Sequence, residues 1–116
     1  MNKHISRQEI QHHLSAGTPM ILVEALPQQY YDAEHLPGAV HLPHDQVRAR
    51  AHEVLPDKDA FIVVYCANTP CQNSTIAAKT LAALGYTNVH EYVEGKADWI
   101  EAGLPTEATP RQARHG

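Results

Sequence analysis

Two cysteines, Cys66 and Cys71, are the residues of this chain whose type and spacing favour covalent chemistry. Cys66 directly follows the apolar run of residues 61–65 and precedes a helix-like stretch over 74–84. A thiol between a strand and a helix lies where backbone N–H groups and the positive end of the helix dipole converge, which favours a thiolate or a bound anion. Such a setting can lower a cysteine pKa from about 8.5 to roughly 3.5–7.5. Cys66 is therefore the candidate catalytic nucleophile, and the alternative is a small buried cysteine without chemistry.

Cys71 lies five residues after Cys66 and across the same predicted loop. It is a candidate resolving cysteine, because it could form a disulfide with an oxidised or persulfidated Cys66. The alternative is that Cys71 only packs at the start of the helix. The separation of the two Cα atoms decides between these roles, since a disulfide requires about 7 Å or less.

The rest of the predicted loop is neutral and mostly polar. We expect a substrate-binding or anion-binding loop made of Ala67, Asn68, Thr69, Pro70, Gln72, Asn73 and Ser74. Pro70 lacks an N–H group and so removes one donor to an anion. The alternative role for Asn73 or Ser74 is to cap the helix.

Strands and helices alternate along the chain and must position this loop. Ser6 and Glu9 form a capping-box pattern, and apolar runs predict strands at 20–23, 39–42, 61–65 and 89–93. Helical patterns separate these runs, which predicts an α/β fold: a small three-layer domain with a mostly parallel central sheet flanked by helices. We expect one domain over residues 1–105 and a flexible C-terminal tail over 106–116, where little can be buried.

Composition limits the classes of function. The chain has 116 residues, 43% of them apolar, and a formal charge of −4. No apolar run approaches the roughly 18 residues of a membrane span, no export leader is visible, and Lys and Arg are scattered. We therefore expect a cytoplasmic protein that binds neither membrane nor nucleic acid. Two cysteines are too few for a structural disulfide framework, so a Cys66–Cys71 bridge would be functional or transient.

Four further polar residues have simpler interpretations. His35, His41 and His44 suggest a metal, but Pro43 interrupts them and no helix presents two of the rings on one face. We expect no metal and no fixed cofactor. Glu24 follows a buried strand at the edge where such sheets bind ligands, and hydrogen bonding to a neighbouring loop is its expected role.

Four separated segments together resemble the rhodanese-like domain family. They are the stretch 30–39 with its His35-Leu36-Pro37-Gly38-Ala39 core, the Cys66 loop, the Leu81–Tyr86 region, and Glu94-Gly95 followed by Trp99 and Gly103-Leu104-Pro105. The resemblance runs from about Ile5 to Pro105. It implies a parallel α/β sheet and a sulfurtransferase, in which a catalytic cysteine carries a persulfide.

The departures from that family pattern indicate a divergent subgroup. The Cys66 loop is about two residues longer than usual, and Asn73 stands where the family has an arginine. Val23-Glu24-Ala25 replaces Asp-Val-Arg, and Glu94 replaces the first of two glycines. Since an anionic donor gains from a cation in the loop, we expect weak use of thiosulfate and better use of a small neutral donor or a protein persulfide.

The leading hypothesis is an enzyme that carries sulfane sulfur on Cys66 and passes it to an acceptor thiol. The main alternative is a non-catalytic or redox-sensing rhodanese-like module that uses Cys66 and Cys71. A cysteine phosphatase or arsenate reductase is disfavoured, because Gln72 and Asn73 stand where such enzymes need an arginine to clamp an oxyanion. The pattern leaves the oligomeric state and the identity of donor and acceptor open.

Overall fold

The computed structural model describes residues 3–109. Five strands form one sheet in the order β1-β5-β4-β2-β3, and every neighbouring pair is parallel. The strands are β1 (Lys3–His4), β2 (Ile21–Glu24), β3 (Val40–His41), β4 (Ile62–Tyr65) and β5 (Val89–Tyr92). The helices are α1 (Arg7–Ala16), α2 (Gln28–Ala33), α3 (Val47–Val54), α4 (Asn73–Ala83) and α5 (Gly95–Glu101).

The central strands are apolar on both faces because helices cover both sides of the sheet. On one face, Val23 and Val64 pack with residues of α3 and α4. On the other face, Leu22 and Val63 pack with Ile10 of α1 and Trp99 of α5. The predicted three-layer α/β architecture is confirmed, and the described sheet is parallel throughout.

Local patterns account for most element boundaries. Ser6 Oγ accepts from Glu9 N at 3.1 Å and Glu9 Oε1 accepts from Ser6 N at 3.0 Å, so the predicted capping box is confirmed. After Pro43 the chain forms a 3₁₀ turn, His44–Gln46, which is followed by α3. Strand β1 was not predicted, because two exposed polar residues carry no periodic apolar pattern and are ordered only by pairing with β5.

The first part of the predicted tail is attached to the fold. His35 and Glu107 exchange backbone hydrogen bonds of 2.9 and 2.8 Å, and Thr109 N donates to Asp32 O at 3.0 Å. Thr106 Oγ1 also donates to Glu34 Oε2 at 2.7 Å. These hydrogen bonds attach 106–109 to the domain, and the prediction of a tail did not include them because it weighed only apolar burial. The remainder of the predicted tail, 110–116, lies outside the described residues.

A helix must be about 20 residues long and predominantly apolar to cross a bilayer. Within residues 3–109, none is both long and apolar enough to do so.

Candidate active site

Cys66 lies at the carboxyl end of β4, at the centre of the sheet, and is only 1% exposed. Its backbone carbonyl accepts from Lys96 N at 2.8 Å, and the carbonyl of Ala67 accepts from Ala97 N at 2.8 Å. The turn that follows β4 is therefore attached to the first turn of α5. This places the cysteine at the edge where parallel α/β sheets bind ligands.

Gly95 permits this close approach. Its φ is +70°, and a Cβ added there would lie 2.6 Å from Cys66 O and 3.0 Å from the carbonyl carbon of Ala67. A side chain would meet backbone atoms, which cannot move aside as a flexible side chain can. Position 95 therefore requires glycine for both its conformation and its lack of a Cβ.

Cys66 and Cys71 form a disulfide, with their Cα atoms 6.5 Å apart. That separation lies within the range of protein disulfides. Cys71 N donates to Asn68 O at 3.1 Å, and this turn brings the second cysteine back over the first. The geometry meets the requirement that we set for a resolving cysteine.

The start of α4 differs from the capping that we considered. The helix begins at Asn73, its N-cap is Gln72, and Gln72 makes no side-chain capping hydrogen bond. Neither Asn73 nor Ser74 caps the helix, because both already lie inside its first turn. Ser74 is instead turned towards the sheet and is 1% exposed.

Ser74 connects Cys66 to a buried carboxylate. Its Oγ lies 3.4 Å from Cys66 Sγ and donates to Glu91 Oε2 at 2.9 Å. Thr75 Oγ1 donates to the same carboxylate oxygen at 2.6 Å, and Glu91 is 3% exposed. Sequence reasoning missed Glu91, although a charged residue inside the apolar β5 pattern was an available signal.

Two open clefts border the loop. One, of about 520 Å³, contains Thr69, Pro70 and Gln72 of the predicted binding loop; its other lining residues are His4, Cys71, Thr75, Glu91 and Val93. The other, of about 280 Å³, contains Asn68, Thr69 and Pro70; its other lining residues are Glu94, Ala97, Asp98 and Glu101. Among the described residues that line these clefts there is no Lys or Arg, and several carry carboxylates.

A second buried carboxylate, Glu24, lies on the opposite face of the sheet. Its Oε2 accepts from Lys96 Nζ at 2.9 Å, and its Oε1 accepts from the Tyr65 hydroxyl at 2.8 Å. Lys96 Nζ also donates to the backbone carbonyls of Tyr30 and Glu34. The expected bond from Glu24 to a neighbouring loop is therefore corrected to a buried ion pair with α5.

Tyr65 is the neutral member of this group. Burial, and then the adjacent Glu24 carboxylate, raise the pKa of Tyr65 well above its ordinary value. The hydroxyl therefore remains protonated, donates to Glu24 and accepts from Leu36 N at 3.0 Å.

The three histidines considered for a metal lie in separate contacts. His35 Nδ1 is 2.7 Å from Tyr31 O, and His41 Nε2 is 2.6 Å from Leu26 O. His44 Nδ1 is buried without a hydrogen-bond partner. Across residues 3–109, no three His, Cys, Asp or Glu side chains form a group suited to a metal ion.

Comparison with known proteins identifies related sequences. The rhodanese-like domain profile matches residues 6–102. The HTH-type transcriptional regulator Rv0324 of Mycobacterium tuberculosis is 32% identical, over 89% of this chain and 44% of the regulator. The putative sulfur carrier protein YrkF of Bacillus subtilis is 25% identical, over 82% of this chain and 49% of the carrier. Thiosulfate sulfurtransferase PspE of Escherichia coli is 36% identical, over 55% of this chain and 59% of that enzyme.

These relatives include proteins named for sulfur transfer and for sulfur carriage. The chain spans about half the length of the curated relatives Rv0324 and YrkF.

Solved structures show the same fold. The BH2092 protein of Bacillus halodurans aligns with a TM-score of 0.85 at 24% identity, over 93% of this chain and 78% of that one. The rhodanese-like domain of the Alr3790 protein from Anabaena aligns with a TM-score of 0.81 at 28% identity, over 93% of this chain and 80% of that one.

Proposed function

The chain belongs to the rhodanese-like domain family, and on that premise we propose that it is a sulfurtransferase-type enzyme that carries sulfane sulfur as a persulfide on Cys66. The observation that carries this proposal is the position of Cys66. It lies at the carboxyl end of the central strand, between β4 and the start of α4, and its disulfide partner Cys71 lines an open cleft. The neighbouring helix N-terminus favours a thiolate or persulfide anion at that point.

The proposed reaction has two steps. The Cys66 thiolate attacks the outer sulfur of a donor persulfide, RSSH, so that a new S–S bond forms and the old one breaks. The donor leaves as the thiolate RS⁻, and Cys66 carries the transferred sulfur. An acceptor thiol then takes that sulfur, and Cys66 is released as a thiolate.

The charges around the loop bear on the choice of donor. Glu91 lines one cleft, and Glu94, Asp98 and Glu101 line the other. Thiosulfate carries two negative charges and would approach carboxylates with no lining cation to offset them. We therefore propose a small sulfur donor without the double charge of thiosulfate, or a protein persulfide, as donor and a thiol as acceptor. A cytoplasmic setting supplies such thiols, and the net charge of −4 gives no basis for nucleic-acid binding.

Intact-protein mass spectrometry tests this function directly. Reduced protein, Cys66→Ser and Cys71→Ser would each be exposed to thiosulfate and, separately, to a low-molecular-weight persulfide. We expect the parent protein and Cys71→Ser to gain one sulfur atom, more readily from the persulfide, and Cys66→Ser to gain none. Equal sulfur loading of Cys66→Ser would overturn the proposal.

The disulfide favours a second candidate function, a redox-sensing module. A bonded Cys66 cannot act as a nucleophile, so oxidation to the Cys66–Cys71 disulfide would turn sulfur transfer off or signal to a partner. Mild oxidation should remove two hydrogens from the parent protein and none from Cys71→Ser. Disulfide formation without sulfur loading under any donor would make this module the better description.

A further inference from the structure

We infer that Glu91, acting through Ser74, accepts the proton that the Cys66 thiol loses when it becomes a nucleophile. The inference deepens the proposed sulfur-transfer function and rests on it. Ser74 would be a catalytic residue, since it contacts the reacting sulfur. Glu91 would be a positioning residue, since it acts only through Ser74.

Three buried side chains form the path. Cys66 Sγ lies 3.4 Å from Ser74 Oγ, and Ser74 Oγ lies 2.9 Å from Glu91 Oε2. Cys66 and Ser74 are each 1% exposed, and Glu91 is 3% exposed. Once the disulfide is reduced, Ser74 Oγ is therefore the acceptor atom already next to the thiol. Water has little access to the same proton.

The transfer is balanced without a further reactant. The S–H bond of Cys66 breaks and Ser74 Oγ takes that proton, while the original hydroxyl proton of Ser74 passes to Glu91 Oε2. Sulfur keeps the electron pair of the broken bond, and nothing is oxidised or reduced. The proton moves as sulfur attacks the electrophile, so the result is the new bond to sulfur, a serine hydroxyl, and a neutral Glu91 carboxyl that donates to Ser74.

Proton transfer to Glu91 removes the need for a cation in the Cys66 loop. A thiolate usually gains from a nearby cation, and no Lys or Arg lies between Cys66 and Ser74. With Glu91 as proton acceptor, the pair keeps a single negative charge, first on the carboxylate and then on sulfur. The site avoids placing two adjacent anions in a buried region, which would be costly.

The groups that face Glu91 from neighbouring elements are few. Ser74 and Thr75 approach it from α4, with Thr75 donating to the same oxygen. His4 pairs with Glu91 in the register of β1 and β5, and the apolar Val64 pairs with it from β4. His4 is the ionisable neighbour and is controlled for by His4→Asn in the experiment below.

The test measures Cys66 reactivity without any sulfur donor. The full chain carrying Cys71→Ser, kept reduced, would be treated with the small electrophile methyl methanethiosulfonate from about pH 5.5 to about pH 10, and the modified fraction followed by mass spectrometry. Glu91→Gln, Ser74→Ala and His4→Asn would be compared on this background, and a parent-like profile for His4→Asn would exclude His4 as the proton acceptor. Glu53→Gln removes an equal charge at an exposed position of α3 that lines neither cleft, and it is the matched control.

We expect the plot of modification rate against pH for the parent to cross the plots for Glu91→Gln and Ser74→Ala. The parent rate should level off in the acidic range, because the Glu91 carboxylate takes the proton while sulfur attacks and the thiol then reacts without prior ionisation. The rates of Glu91→Gln and Ser74→Ala should fall about tenfold per pH unit and be at least about tenfold below the parent near pH 6. Near pH 10, Glu91→Gln should react at least as fast as the parent, because a neutral amide no longer opposes the thiolate.

Several results would overturn the inference. Parallel profiles for the parent and Glu91→Gln, or a faster Glu91→Gln at every pH, would show that the carboxylate takes no proton. A parent-like profile for Ser74→Ala would remove Ser74 from the path, and this variant decides the question if Glu91→Gln fails to fold. Because no donor is used, a crossing profile without sulfur loading would reject only the proposed function. Sulfur loading with parallel profiles would reject only the relay.

Discussion

Two buried glutamates lie on opposite faces of the same sheet and have different partners. Glu24, at the end of β2, is fully buried against the ammonium of Lys96 and the hydroxyl of Tyr65. Glu91, in β5, is buried against the hydroxyls of Ser74 and Thr75. One carboxylate is held by an ion pair and the other by neutral donors.

The difference in partners gives the two regions different roles. An ammonium group only donates hydrogen bonds, so Lys96 pairs with the Glu24 carboxylate and joins α5 to β2 and to the end of α2. A hydroxyl both donates and accepts, so Ser74 can pass a proton between Cys66 and Glu91. Breaking a buried ion pair is costly because it leaves a charge without its countercharge, whereas a buried carboxylate with hydroxyl partners can exchange a proton through them.

Removing the ammonium tests the structural side of this contrast and has the largest expected effect. Lys96→Met should lower the free energy of unfolding by about 3–5 kcal/mol, because it leaves Glu24 buried without a countercharge. Urea denaturation of the reduced protein measures this loss. Lys79→Met, at an exposed position of α4, is the control and should change stability little. A similar small change for Lys96→Met would show that the ion pair is not a structural anchor.

Gly95 precedes Lys96 at the start of α5 and contacts the backbone of Cys66. Its replacement should give the next largest loss of stability. Gly95→Ala should cost about 2–4 kcal/mol, because it combines a positive φ with contacts to the backbone of Cys66 and Ala67. Gly103→Ala is a matched control, since Gly103 has a φ of +78° and nothing within 4 Å of an added Cβ. Equal unfolding free energies for the two variants would mean that the loop adapts to the added carbon.

Replacing Glu91 with a neutral residue should change the free energy of unfolding only slightly, in contrast to Lys96→Met. Glu91→Gln should cost no more than about 1 kcal/mol, because the amide oxygen still accepts from Ser74 and Thr75 and no buried cation loses its partner. The same urea titration used for Lys96→Met measures it. A loss as large as that of Lys96→Met would assign Glu91 a structural role and weaken the case for proton transfer.

The smallest expected effect is a pH-dependent change in stability. It comes from His90, which lies on the face of β5 opposite to Glu91. His90 stacks on Phe61 with ring centres 4.2 Å apart. Burial, and then the nearby Lys3 ammonium, lower the pKa of His90 below its ordinary value of 6.5. The unfolded chain therefore binds the proton more tightly, so stability is present above pH 6.5 and falls as the pH drops below it.

Thermal unfolding at several pH values checks this expectation. The parent protein should lose stability below pH 6.5, and His90→Gln should lose less over the same range. Identical pH dependence in the two proteins would show that His90 is not a source of the loss.

Much of the fold could be predicted because its signals are local. Apolar runs bounded by turn residues indicated β2, β4 and β5 within one or two residues, and Ser6 with Glu9 indicated the start of α1. The position of Cys66 after the central strand also followed from adjacent residues. Lys96 gave no such signal, because its burial depends on Glu24, which lies 72 positions away.

By itself, the sequence determined the alternation of strands and helices, the cysteine loop after the central strand, and the lack of a cation in that loop. These properties depend on residue types and near spacing. The tertiary structure alone decided that Cys66 and Cys71 meet, that Lys96 neutralises Glu24, and that Ser74 joins Cys66 to Glu91. The physical reason is that a buried polar group is stable only with a partner, and the fold brings those partners from distant parts of the chain.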